Sequence, residues 1–300
     1  MQEKTANRKE YLISLYRTRS ILALIAGIGV FCVTFAAVAW GLQKFGNEEG
    51  SLFQYFTVLS NLLAAVGAAF MIPFAVEGIR KKRFLLPKWV VLLQYSGAVC
   101  VAITMISTLL IIIPTQGVEE GLTGMNFWLH LISPLLTVIL FQMAETGVSI
   151  TRKEMFLALV PYWVYMALYF VMVYLVDPQQ GGWADIYNTK GILPPWAVAL
   201  MMFVLGLVTA IVLRWIQNRR ARSSRERIVR LWDKEMDSTE LKIEAFGLGR
   251  YMGLHGSGGE LSVPLDIFEM MAERYDVTLP ELIRAFTRGA IDGREEKNGK

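Results

Sequence analysis

The chain is poor in the residues that hold small secreted domains together or build metal centres. Its 300 residues include two cysteines, Cys32 and Cys100, both inside apolar runs. So placed, they form no disulfide framework and read as small buried hydrophobes. Two histidines, His130 and His255, are too few for a His-rich metal site. No HExxH, CxxC, GxxxxGK[ST] or GxGxxG segment occurs, so neither a metal nor a cofactor is expected. No Asp, Glu, Lys or Arg lies deep in an apolar run, no inverted repeat is visible, and no helix pair looks broken. Ion-coupled transport therefore lacks its usual residues.

What the chain has is apolar length. It is 54% hydrophobic with a mean hydropathy of +0.41, which places it in the membrane class. A bilayer core needs roughly 20 apolar residues per helix. Six stretches qualify, at about 21–43, 52–76, 89–113, 127–144, 155–176 and 196–216. The expected fold is an all-α, six-transmembrane helix bundle preceded by a cytosolic tail over 1–20. A basic juxtamembrane segment (217–235) and a small cytosolic module (236–300) follow. Pro73, Pro134 and Pro161 fall within spans and suggest local kinks. Nineteen Lys and Arg flank the spans on the side of the termini, against Lys44 and Lys190 on the other. That bias puts both termini in the cytosol of a multi-pass plasma (inner) membrane protein.

The question the spans raise is why "QYFTVLSN" (Gln54–Asn61) should be so polar. At about 100° per residue, Gln54, Thr57 and Asn61 share one stripe of span two. Span four carries Asn126, His130, Ser133 and Thr137 on a matching stripe. Span three offers Gly97, Thr104 and Thr108, and span five Tyr162, Tyr165 and Tyr169. Four helices with one polar or small face each pack around a common interior, and span six, mostly apolar, belongs at the periphery. Thr57 lies about five residues into its span and His130 about three, roughly 7–8 Å and 4–5 Å deep. The two can share one level near the outer face.

A hydroxyl beside a neutral imidazole is a nucleophile–base pair. Thr57 and His130 are the candidate catalytic residues. Asn61, Asn126, Ser133, Thr108, Tyr165 and Tyr169 are candidates for substrate binding or for stabilising an oxyanion. No carboxylate on the stripes orients the imidazole; Asp177 and Asp185, beyond span five, are the nearest. The outer-leaflet depth suits an ester carried by a lipid, with water entering from outside. The non-catalytic alternative is a lipid-binding, scaffold or sensor protein whose tail meets a cytosolic partner.

The segments "QYFTVLSNLLAA" and "FWLHLISPLL" resemble the paired motifs of the androgen-induced family of integral membrane threonine hydrolases. Members cleave fatty-acid esters of hydroxy fatty acids. The chain also resembles a related bacterial six-helix membrane family, with its F-T-x-x-S-N segment and later H-x-x-x-P segment. The resemblance spans about residues 20–215 and implies a nucleophilic role for Thr57 and a basic one for His130. It sets "GGWADIYN" (Gly181–Asn188) where such proteins carry an aromatic, acidic segment. Where the bacterial group commonly has an aspartate further along the His helix, this chain has Phe141, Gln142 and then Glu145.

Past span six, Arg219–Arg230 is a basic segment suited to anionic headgroups. "GSGGE" (Gly256–Glu260) reads as a linker, "ELSVPLD" as a short extended piece and Ile267–Tyr275 as a helix. Thr278 should N-cap a second helix, with Pro280 in its first turn and Glu281 closing a capping box. This order resembles a ribbon-helix-helix unit. The extended piece carries Glu260, Ser262 and Asp266 and no Lys or Arg, so nucleic acid is not an expected partner. The expected partners are membrane lipids, a lipid ester substrate, and a second copy or a cytosolic protein at the tail.

Overall fold

Six helices are long and apolar enough to cross a membrane. They are Arg17–Gln43, Phe56–Arg80, Lys88–Gln116, Gly124–Gln142, Arg152–Leu175 and Pro195–Ser223, called spans one to six below. The structure is a computed structural model, and it describes residues 2–45, 52–81, 86–144, 149–187, 189–191, 194–230, 238–255, 268–269, 271–272, 275 and 277–299. No strand occurs among the described residues. Lipid offers a peptide group no hydrogen bond, so each apolar run closes its own backbone bonds as a helix. The chain divides into two compact units. One comprises residues 19–76 and 85–219; the other comprises 1–18, 77–84 and 220–300.

In the membrane unit the core gathers Tyr95, Phe141, Leu159 and Tyr162 with the small residues Ala98, Ala102, Ala158 and Ala210. Small residues let helices approach closely. A Cβ at Gly97 would lie 2.9 Å from Ala64 Cα, so glycine sets the distance between spans two and three. Polar side chains then tie the spans together. Ser60 and Thr104 hydroxyls meet at 2.9 Å. Ser96 donates to the Ala158 carbonyl at 2.8 Å, and Tyr95 to that of Ala210 at 2.6 Å. Span one, which carries no obvious stripe in the sequence, meets span four through Thr34 and Ser133, oxygens 3.2 Å apart. Span six has the lowest buried share of the six, 28%. It is nonetheless held by Tyr95, by Tyr162 donating to the Met202 carbonyl at 2.8 Å, and by the stack of Trp163 on Phe203.

Three helices widen into π turns, at Thr108–Ile112, Trp128–Ile132 and Val171–Leu175. Proline explains the first two. Pro114 and Pro134 each follow a wide turn by two residues. A proline ring has no N–H and collides with the carbonyl four residues earlier, here Leu110 and His130. Both carbonyls lie inside the widened segment. The helix passes through Pro114 to Gln116, further than the proline alone suggests. Pro73 and Pro161, expected as kinks, also sit inside helices, without a π turn beside them.

The second unit pairs two helices, Ser238–His255 and Leu279–Lys297. Phe268, Met271, Leu282 and Phe286 form its buried centre, with Leu241 and Ala245. Its seam is backbone against backbone: Gly249 lies against the Phe286 carbonyl, Gly253 against that of Ala290, and Gly289 against that of Phe246. Thr278 caps the second helix in a capping box with Glu281, whose Oε1 also takes Lys242 Nζ at 2.9 Å. The Ser238–His255 helix was not legible in the sequence. The segments read as linker and extended piece, Gly256–Glu260 and 260–266, lie outside the described residues, as do Ile267, Met270 and Arg274.

Candidate functional site

The helix of span two begins at Phe56, after a short 3-10 turn at Leu52–Gln54, so Thr57 is its second residue. His130 is the seventh residue of span four and sits inside the π turn Trp128–Ile132. These depths reverse the order read from the sequence, yet the two side chains meet. Thr57 Oγ1 lies 3.0 Å from His130 Nε2, and both residues are buried.

The other ring nitrogen decides the proton's place. His130 Nδ1 is 2.7 Å from the Gly121 carbonyl. A carbonyl only accepts, so Nδ1 carries the hydrogen and Nε2 presents its lone pair. The Thr57 hydroxyl therefore donates to Nε2. Hydroxyl, imidazole and a third group that orients the ring form the arrangement that activates a nucleophile. Here the third group is a backbone carbonyl. The aspartates expected nearest to this role are engaged elsewhere: Asp177 Oδ1 accepts from Gln179 N at 2.8 Å, and Asp185 holds its own loop.

Gly121 belongs to the short helix Val118–Leu122 between spans three and four. A Cβ there would stand 2.8 Å from Ile113 Cγ1 and 3.4 Å from Thr108 Cγ2. Only glycine brings this carbonyl down onto the imidazole without moving Ile113. Nothing in a sequence marks a carbonyl as a partner, so this member of the site was missed.

Asn61 holds the pair in register. Its Nδ2 donates to the Thr57 carbonyl at 2.7 Å and to the Leu129 carbonyl at 2.9 Å, bridging spans two and four. Both amide protons are thus used, and Asn61 has none left for an oxyanion. The same holds for most other candidates. Tyr165 donates to the Gln54 carbonyl and Tyr169 to Asp185 Oδ1, each at 2.7 Å. Thr108 donates to the Thr104 carbonyl at 3.0 Å, and Asn126 Nδ2 to that of Glu120 at 2.7 Å. Ser133 faces span one through Thr34 and lines neither cavity described below. Among those that line a cavity, only Asn126 keeps a spare proton, its second amide hydrogen, on the polar side.

Two cavities meet at Thr57. One, about 600 Å³, is as polar as it is apolar and is walled by His130, Gln54, Gln116, Asn126 and Trp183. The other, about 80 Å³, is an almost wholly apolar slot among Ile111, Met166, Met201 and Met202, with Tyr162 and Tyr165 beside it. Thr57, Ile112 and Tyr187 line both. Methionines make such a slot adaptable. Span six, through Met201 and Met202, is one of its walls.

The connection after span five closes over this end. Tyr187 Oη accepts from Phe56 N at 2.8 Å. Asp185 receives Tyr169 Oη, Thr189 N, Thr189 Oγ1 and Lys190 N, all within 2.9 Å. Burial raises the Asp185 carboxyl, but these donors outweigh it and hold the group below the usual carboxylate range. Among the described residues no three His, Cys, Asp or Glu side chains gather as a metal site would require. The chain matches no family model, no curated protein and no solved structure.

Proposed function

We propose that this chain is an integral membrane hydrolase of lipid-type esters, with Thr57 as nucleophile and His130 as base. The acyl carbonyl sits at the junction of the two cavities, with apolar chain in the slot and the polar alcohol half in the larger chamber. Thr57 Oγ attacks the acyl carbon as His130 Nε2 takes its proton, and the carbonyl π pair moves to oxygen. Collapse of that intermediate breaks the ester C–O bond, and the leaving alkoxide receives the proton from His130. Water, activated in turn by His130, cleaves the acyl-threonine and restores the hydroxyl.

One observation carries the reading: an oriented imidazole, Nδ1 on the Gly121 carbonyl and Nε2 on Thr57, at the meeting point of a polar and an apolar cavity. A hydrogen bond that served only to cross-link helices would need neither cavity. The Lys and Arg distribution supports a plasma-membrane protein with this end outside and both termini in the cytosol. There the paired tail helices serve as a docking module for a second copy or a cytosolic partner.

The test is covalent labelling of the purified protein by a long-chain fluorophosphonate, alongside turnover of a panel of lipid esters. Thr57→Ala should abolish labelling, and His130→Ala should slow turnover by about 10²–10⁴-fold. Both variants should accumulate as folded protein. Well-folded wild type that is neither labelled nor active on the panel would favour the non-catalytic scaffold.

A further inference from the structure

The proposed reaction leaves the developing oxyanion in need of a donor at the junction of the cavities. Of the groups first considered that line a cavity, only Asn126 keeps a spare proton, and it lines the polar chamber alone. Resting on that reaction, we infer that Tyr187, in the connection between spans five and six, is the oxyanion donor. Its hydroxyl oxygen is fixed 2.8 Å from the amide nitrogen of Phe56, the residue immediately before Thr57. It lines both cavities at their junction. Its own proton is nearly idle. The Thr57 amide also donates to that oxygen, and its side-chain neighbour is Tyr165 Oη at 3.4 Å. Tyr165 spends its proton on the Gln54 carbonyl, so in that long contact Tyr187 is the donor. At 3.4 Å the contact lies well beyond a good O–H···O distance, and the hydroxyl can turn to a better acceptor at little cost.

Its surroundings also keep it protonated and aimed. The Phe56 amide, at the positive end of the span-two helix, draws charge from the phenol oxygen and polarises the O–H bond. Burial pushes Tyr187 up to about 12 against the hydrogen bonds that lower it, so the proton is present at any working pH. The ring is held by Tyr169, centroids 5.3 Å apart, and edge-on by Tyr55 at 6.5 Å. The competing groups are Ser107, whose buried hydroxyl has no partner and which lines the apolar slot alone, and Asn126, whose spare amide proton belongs to the polar chamber alone.

Fluorophosphonate labelling tests this without knowledge of the natural ester. Thr57 Oγ bonds to phosphorus as His130 Nε2 takes its proton, fluoride leaves, and negative charge builds on the phosphoryl oxygen where an acyl oxyanion would form. The second-order labelling rate is measured for full-length wild type, Tyr187→Phe, Ser107→Ala and Thr57→Ala. Tyr187→Phe should label about 10²–10³-fold more slowly, with the probe concentration for half-saturation unchanged and a loss far larger than that of Ser107→Ala. A second variant guards against simple misfolding: 3-fluorotyrosine placed at position 187 keeps the ring and makes its hydroxyl a better donor. It should label faster than wild type. Wild-type rates in both Tyr187 variants, with Thr57→Ala inert, would overturn this inference and leave the hydrolase reading standing. A rate lost at Ser107→Ala instead would reassign the donor. Unlabelled wild type would overturn both.

Discussion

At the scale of single residues, the site turns on groups that commit their protons in one direction. The Gly121 carbonyl fixes the His130 hydrogen on Nδ1, which leaves Nε2 facing Thr57. Gly121→Ala therefore predicts a specific defect. Its methyl group displaces Ile113 or lifts the carbonyl, and the imidazole loses its tautomer and aim. Labelling of Thr57 should fall by at least about tenfold, part of what a base contributes, while the protein stays folded; an unchanged rate would show that the carbonyl does not orient the ring. Thr57 and His130 were legible because helical spacing sets each on the polar stripe of its span, and both stripes reach one level. Asn61 was legible as a polar interior residue but not as a bridge whose two protons are spent. Gly121 and Tyr187 were not legible in these roles. The first acts through backbone, and the second lies in a connection where no periodicity says which way a side chain points.

At the scale of elements, hydropathy alone located the six long apolar helices closely at every end but the last, because about 20 apolar residues have few other fates; the sixth was expected to stop at 216 and runs on to Ser223. The π turns escaped notice, since an extra residue in a turn leaves no trace in composition. Proline is the trace it does leave. His130 sits in the turn that Pro134 widens. Pro134→Ala removes the collision and lets the segment tighten to a regular helix, turning residues on either side of it relative to one another. The variant should gain or keep helix content and thermal stability yet label Thr57 at least about tenfold more slowly. A rate equal to wild type would show that the turn does not aim the imidazole. The Ser238–His255 helix was missed for a related reason. Gly247, Gly249 and Gly253 read as poor helix formers, whereas two of them are where a partner helix comes to backbone contact.

At the scale of the whole molecule, two units with separate cores imply two responses to stress. In the tail, the Lys242 ammonium and then the Thr278 hydroxyl and amide hold the Glu281 carboxyl down to about 2. A depressed carboxylate contributes stability that is full above its unfolded value of about 4.3 and is lost as pH falls towards the folded one. The tail transition, followed by far-UV circular dichroism on the full chain, should weaken between roughly pH 4 and 2. In Glu281→Gln it should be lower at neutral pH and lose that portion of its acid dependence. Equal pH profiles for the two proteins would show that the cap and its cross-link contribute nothing.

The doorway position of Thr57, between a wet chamber and an oily slot, has a consequence for the order of events. Under the proposed reaction the two fragments of a cleaved ester part company at once. The alcohol is already in the compartment that admits water, whereas the fatty fragment remains threaded among the methionines and bonded to the threonine. The first should escape as a rapid initial burst and the second should set the steady pace. Widening the slot at Met201 or Met202 would then change how fast the enzyme recovers and leave the size of the opening burst untouched.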